Sequence, residues 1–198
     1  MGAALGSLAQ SKSTSFKASR KRLPFSKDEI HLLREQWTVM MNDVNANGIM
    51  LFTALFSING ALMTKFSFSD AYRFDGKKTY DDERLLQHVN GVFRTFDIII
   101  TSLLNGTYYD QLKMMQSIGN VHCKNNVKLL HLQDFKKALL QTISKELKGD
   151  FDDRALQAWS RLTDDIIDHM ELNPIENEDQ EACNTSDVLN HSINVLRQ

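Results

Sequence analysis

Two histidines, His88 and His122, are the side chains whose type and setting in this sequence could do chemistry. His88 lies inside an apolar stripe. Leu85, Val89, Val92, Phe96, Ile99, Ile100 and Leu103 recur there at the three-and-four spacing of one helix face. His122 closes a shorter stripe of Leu112, Met115 and Ile118, with Val127 a few residues beyond. Neutral imidazole is the commonest protein metal ligand, so two such rings facing one apolar space could clamp a metal between them. Taken singly, each is more simply read as a core histidine satisfied by a backbone carbonyl.

The elements that must position these rings read as helices throughout. With two prolines and nine glycines, the chain lacks the turn residues that an all-β sandwich needs at every strand end. A hydrophobic content of 42% over 198 residues suffices for one core. Ser26 followed by Glu29 is a capping box that starts a helix with Ile30, Leu33, Trp37 and Met40 inward. Asn45 to Asn47 is expected to break that helix and Gly48 to open the next, which ends at Asn59-Gly60. The stretches 80–104 and 108–123 carry the two histidines. Two more helices are expected over 131–147 and from Asp152 or Asp153 to just before Pro174, with Leu156, Trp159, Leu162 and Ile166 on the inner face of the last.

The flanks differ from this core. Residues 1–25 are serine-rich and basic without a single carboxylate, and 172–198 begin acidic and asparagine-rich. The expected domain therefore spans 26–171, between a disordered arm and a loose extension. Met1-Gly2 resembles an N-myristoylation signal, although the place that wants Ser or Thr holds Gly6. One acyl chain binds membranes only marginally, and the arm's cations could supply the second contact with an anionic leaflet. A net charge of −2 makes no case for nucleic acid. Cys123 and Cys183 have no metal-site spacing, no secretory or spanning segment is apparent, and the expected location is intracellular, cytoplasmic or at the cytoplasmic face of a membrane. His31, His131, His169 and His191 read as surface residues, and Cys123 as a small buried helix residue.

The stretch 26–170 resembles the globins, and neuroglobin-like and invertebrate nerve-type globins more than those of muscle or blood. Four features carry the likeness: Leu55-Phe56 with Phe66 ten residues after Phe56; His88-Val89-Asn90-Gly91-Val92; Ile118-Gly119-Asn120-Val121-His122 followed by Val127; and Trp159. The resemblance implies an all-α globin fold, a helical sandwich around a haem pocket with extended tails at both ends. It implies iron protoporphyrin IX, haem b, as cofactor, with His122 as proximal ligand and His88 as distal residue or second axial ligand. Phe52 and Phe66 would pack on the porphyrin, and Val92, Ile118, Val127, Leu132 and Phe135 would line the pocket. Dry walls of this kind suppress oxidation of the iron, and a distal donor holds a polar diatomic ligand.

Three positions depart from the family pattern. Gly60 stands where proline is usual, Gly91 removes a cation that often covers a haem propionate, and Phe52 is bulkier than the common leucine. The implied function is reversible binding of O2 or another diatomic gas in supply, storage or sensing, in a binding protein rather than an enzyme. The alternative is a redox haem protein working by electron transfer, nitrite or peroxide chemistry with an unknown redox partner.

Overall fold

The computed structural model describes residues 23–66 and 83–172. Within them lie seven α-helices and no strand: α1 (Lys27–Met41), α2 (Val44–Ile58), α3 (Glu83–Asn105), α4 (Tyr108–Leu112), α5 (Met115–Lys124), α6 (Leu129–Leu147) and α7 (Asp153–His169). A 3-10 turn, Gly60–Lys65, follows α2.

The capping box at Ser26 forms as its spacing predicts. The Glu29 backbone donates to Ser26 Oγ, and the Ser26 backbone donates to the Glu29 carboxylate at 2.8 Å. That backbone hydrogen bond is the main reason the Glu29 pKa is lowered. The boundary between α1 and α2 differs from expectation. The break falls at Asn42-Asp43, where the Asp43 side chain accepts from the Ala46 backbone, so Asn45 to Asn47 are helical. Asn47 is buried and donates to the Met40 carbonyl across the break, so its amide stabilises the junction rather than ending the helix.

Gly48 lies inside α2 and does not open it. A β-carbon there would stand 2.9 Å from Val89 Cγ2 and 3.0 Å from its Cβ. Glycine is needed because the backbones of α2 and α3 cross closely. The crossing sits one residue from His88 and fixes the depth of α3.

The filled half of the core gathers α1, α3 and α7 around Trp37. Its ring lies 5.1 Å from Phe93, 5.6 Å from Phe96 and 5.9 Å from Trp159, centre to centre. Gln36 is buried beside them. It accepts from Trp159 Nε1 at 2.8 Å and donates to the Asp150 carbonyl at 2.7 Å, so a polar side chain on an inward face is fully used. Leu156, expected inward, is 41% exposed, because Ala155 and Ala158 let α7 approach its neighbours and set its buried face slightly round. At the corner after α2, Asn59 donates to Asp134 of α6 at 2.9 Å. Gly60 therefore adjoins a corner that is tied to α6.

The single helix expected over 108–123 is two, with a turn at Lys113-Met114. No proline or glycine stands there. The turn has a tertiary cause: Tyr108 on α4 must donate to Asp165 of α7 at 2.9 Å, while α5 faces His122 towards α3. The buried Tyr108 hydroxyl, next to that carboxylate, has its pKa raised, first by burial and then by the Asp165 charge.

Candidate functional site

α3 and α5 present His88 and His122 to one hollow between them. The hollow has two lobes of about 340 and 290 Å3, and His88, His122, Leu132 and Phe135 line both. Phe52, Phe66 and Val127 face the first lobe, and Val92 and Ile118 the second. The structure thus brings all nine residues singled out in the sequence to the walls of one space. Seven of them (Phe66, His88, Val92, Ile118, His122, Val127 and Phe135) are only half-buried, because the hollow itself leaves surface on them.

His122 Nδ1 lies 2.9 Å from the Ile118 carbonyl, one turn back on α5. A carbonyl can only accept, so Nδ1 carries the hydrogen and Nε2 keeps a lone pair to offer to an occupant of the hollow. This is the tautomer and the orienting partner that a metal-ligating histidine uses.

His88 is held differently. The rings of Phe52 and Phe66 meet it edge-on, at 5.4 and 5.3 Å between centres. Burial, and then the neighbouring His122, push its pKa down to about 4, so the ring is neutral near pH 7. No hydrogen bond from a described residue reaches its ring nitrogens. A neutral imidazole without a hydrogen-bond partner among the described residues, on the wall of an apolar hollow, is a group that an occupant of the hollow can satisfy.

Among the described residues no cluster of three or more His, Cys, Asp or Glu could hold a bare metal ion. Two imidazoles facing each other across apolar walls suit a metal that brings its remaining ligands with it. A flat, largely apolar macrocycle with a central metal meets that condition, and haem fits the donor set and the wall chemistry together.

Several wall residues are not among those that the sequence singles out for the site. Lys65 and Arg84 make the first lobe basic, and His131 lines it too. Arg84 stands four residues before His88, one helical turn away on the same face, a spacing that could have revealed it. His131, read as a surface residue, accepts from the Lys128 backbone at 3.1 Å through Nδ1; burial and the Lys65 charge lower its pKa. In the second lobe Ile166 and Ile167 of α7 and Met170 just after it complete the wall. Cys123 is half-buried.

The family model described as Globin matches residues 49–170. Among curated proteins, the chain is 26% identical over 137 residues to an anaerobic nitrite reductase of Casuarina glauca, across 69% of this chain and 88% of that one. It is 25% identical over 143 residues to neuroglobin of Danio rerio, across 70% and 86%. Among solved structures, a globin of Drosophila melanogaster superposes with a TM-score of 0.66 at 19% identity, over 74% of this chain and 93% of that one. The last likeness bears on the fold.

Proposed function

Because the chain belongs to the globin family, we propose that the hollow between α3 and α5 takes haem b, with His122 as proximal ligand and His88 on the opposite face. Haem binding and reversible binding of O2 or another diatomic gas are the family's activity. The observation that carries the assignment of residues is the pair of imidazoles lining one apolar space, one oriented by the Ile118 carbonyl and one with no hydrogen-bond partner among the described residues.

The bound haem supplies an iron that coordinates a gas ligand or exchanges one electron. The chain does the rest. His122 keeps Nε2 available because its other nitrogen is committed to Ile118. Val92, Ile118, Phe135 and the α7 residues exclude water from the faces of the ring. Lys65 and Arg84 offer positive charge to the haem propionates, a role that Gly91 cannot play. Phe52 and Phe66 confine His88. From that position the neutral His88 would either donate a hydrogen bond to a diatomic guest or hold the iron itself. We favour the second arrangement, because two edge-on rings leave His88 little room to swing away. A gas would then compete with His88, and apparent affinity would fall by the fraction of time that His88 is withdrawn.

The absorption spectrum of the purified protein, ferric and then dithionite-reduced without oxygen, tests both levels. Split, sharp visible bands in the reduced form are the expected outcome and mean that His88 is a ligand. One broad band would mean an open position. No Soret band, even after added haem, would overturn the assignment.

A second reading, anaerobic nitrite reduction, rests on one finding, the name that several plant relatives carry. Nitric oxide release from nitrite by the reduced protein, measured without oxygen, would support it; a protein that stays ferrous in air for hours and releases none would exclude it.

We further propose that the basic arm and Gly2, which lie outside the described residues, attach the protein to an anionic membrane surface. No helix among the described residues is long and apolar enough to cross a membrane. Gly2→Ala should lower the membrane-bound fraction, and equal fractions would remove the anchor.

A further inference from the structure

α5 carries His122, and its principal helix neighbours are α7 and its own predecessor α4. The contact with α7 runs through backbone. A β-carbon on Gly119 would collide with the Met170 carbonyl oxygen, and would stand 2.7 Å from the carbonyl carbon and 3.0 Å from Cα. A flexible side chain could swing away from such an intrusion, but a backbone carbonyl at the end of a helix cannot. Glycine at 119 is therefore what lets α5 rest on the last turn of α7.

A second contact lies one turn away on α5. Gln116 Nε2 donates to the carboxylate of Glu171, and Glu171 has φ +48°, in the left-handed region that a non-glycine residue seldom adopts. Met170, between the two contacts, lines the hollow beside Ile118 and His122. The chain past α7 is thus turned sharply so that one residue props α5 by its backbone and the next holds it by its side chain. Because His122 is bonded to the Ile118 carbonyl, its ring is tied to the α5 backbone and moves with it.

We propose that Gly119, Gln116 and Glu171 are positioning residues: by seating α5 on the terminal turn of α7 they set the height and tilt of the His122 imidazole in the hollow. This rests on His122 being the proximal ligand. It assigns control of the proximal bond to the end of α7, a place that contributes no ligand.

The test is resonance Raman spectroscopy of the full-length ferrous protein in a His88→Leu background, which leaves His122 as the axial protein ligand. The observable is the iron–histidine stretching band. Gly119→Ala should displace that band and speed haem loss about tenfold, the lower end of what loss of an orienting partner costs a metal site. Gln116→Ala should displace it in the same direction by less. Faster haem loss with an unmoved band would mean that Gly119 serves stability alone, and would overturn the proposal. If Gly119→Ala does not fold, Gln116→Ala and Glu171→Gly decide, since neither adds an atom against backbone. An unmoved band in both would overturn it equally. A parent protein without a Soret band would instead refute the haem reading on which this rests.

Discussion

The two halves of this core are built from the same residue types and end in opposite states. The rings of Phe93, Phe96 and Trp159 each close on Trp37, and Trp37, Phe93 and Trp159 are each at most 1% exposed. Between α3 and α5, Phe66, Phe135, Val92 and Ile118 stop short of contact across a hollow and stay half-buried. α3 serves both halves, with Phe93 on the closed side and His88 and Val92 on the open one. A closed half needs nothing from outside to hold three helices together. An open half forgoes the dispersion contacts its walls could make until something fills it. The fold is thus set by one half and the chemistry reserved for the other.

The largest effect that would break this contrast is at His122. His122→Ala removes the nitrogen that an occupant would bind and leaves the Trp37 cluster intact. The expected outcome is loss of stable haem, read as loss of the Soret band, with helical content by far-UV circular dichroism close to that of the parent apoprotein. A variant that purifies with full haem would refute the division of labour. A variant that unfolds would show that the closed half does not hold the fold unaided.

How far the sequence discloses each half follows from the same contrast. Trp37, Phe96 and Trp159 repeat at helical spacing, and such periodicity is a local property, so the closed half is legible residue by residue. The walls of the hollow are legible where they share a helix face with a histidine, as Val92 and Ile118 do. The contributions of α7, Ile167 and Met170 in particular, depend on how α7 crosses α5, and no local spacing encodes that. Gly48 shows the limit most plainly. In the sequence it looks like a helix start, whereas its use is the approach of Val89 from α3. The turn at Lys113-Met114 is likewise written in Asp165, fifty residues on. Arg84 was readable by its spacing from His88, but only once His88 was taken as the reference point.

The contrast sharpens with one substitution made in both halves. Phe93→Ala opens a void in a packed region and should destabilise by about 3–5 kcal/mol, the usual cost of such truncations. Phe135→Ala removes a ring that already faces empty space on one side, so in the apoprotein it should cost clearly less. Chemical denaturation of both apoproteins measures the two values. With haem bound, Phe135→Ala should release the cofactor faster while Phe93→Ala leaves that rate close to the parent's. Equal destabilisation in the apoproteins would mean that the hollow collapses and is not held open by the helices around it.

The smallest effect separates two tryptophans within the closed half. Both are fully enclosed, yet only one has its polar atom satisfied. Trp159 Nε1 donates to Gln36, whose amide in turn donates to Asp150, whereas Trp37 Nε1 is buried with no partner among the described residues. Replacing either ring by phenylalanine removes a similar volume, so the packing losses nearly cancel in a comparison of the two. What differs is the hydrogen bond. Trp159→Phe leaves the Gln36 carbonyl oxygen buried and unpaired, at a cost of about 1–3 kcal/mol, while Trp37→Phe removes a donor that had nothing to lose. Trp159→Phe should therefore be the less stable of the two by roughly that amount in urea denaturation. The gap should close or reverse when Gln36→Leu is added to both variants, because the unpaired Gln36 oxygen is then gone and the Asp150 carbonyl has lost its donor in both alike. If the gap persists in the double variants, shape complementarity around Trp159 sets the difference and the hydrogen bond does not.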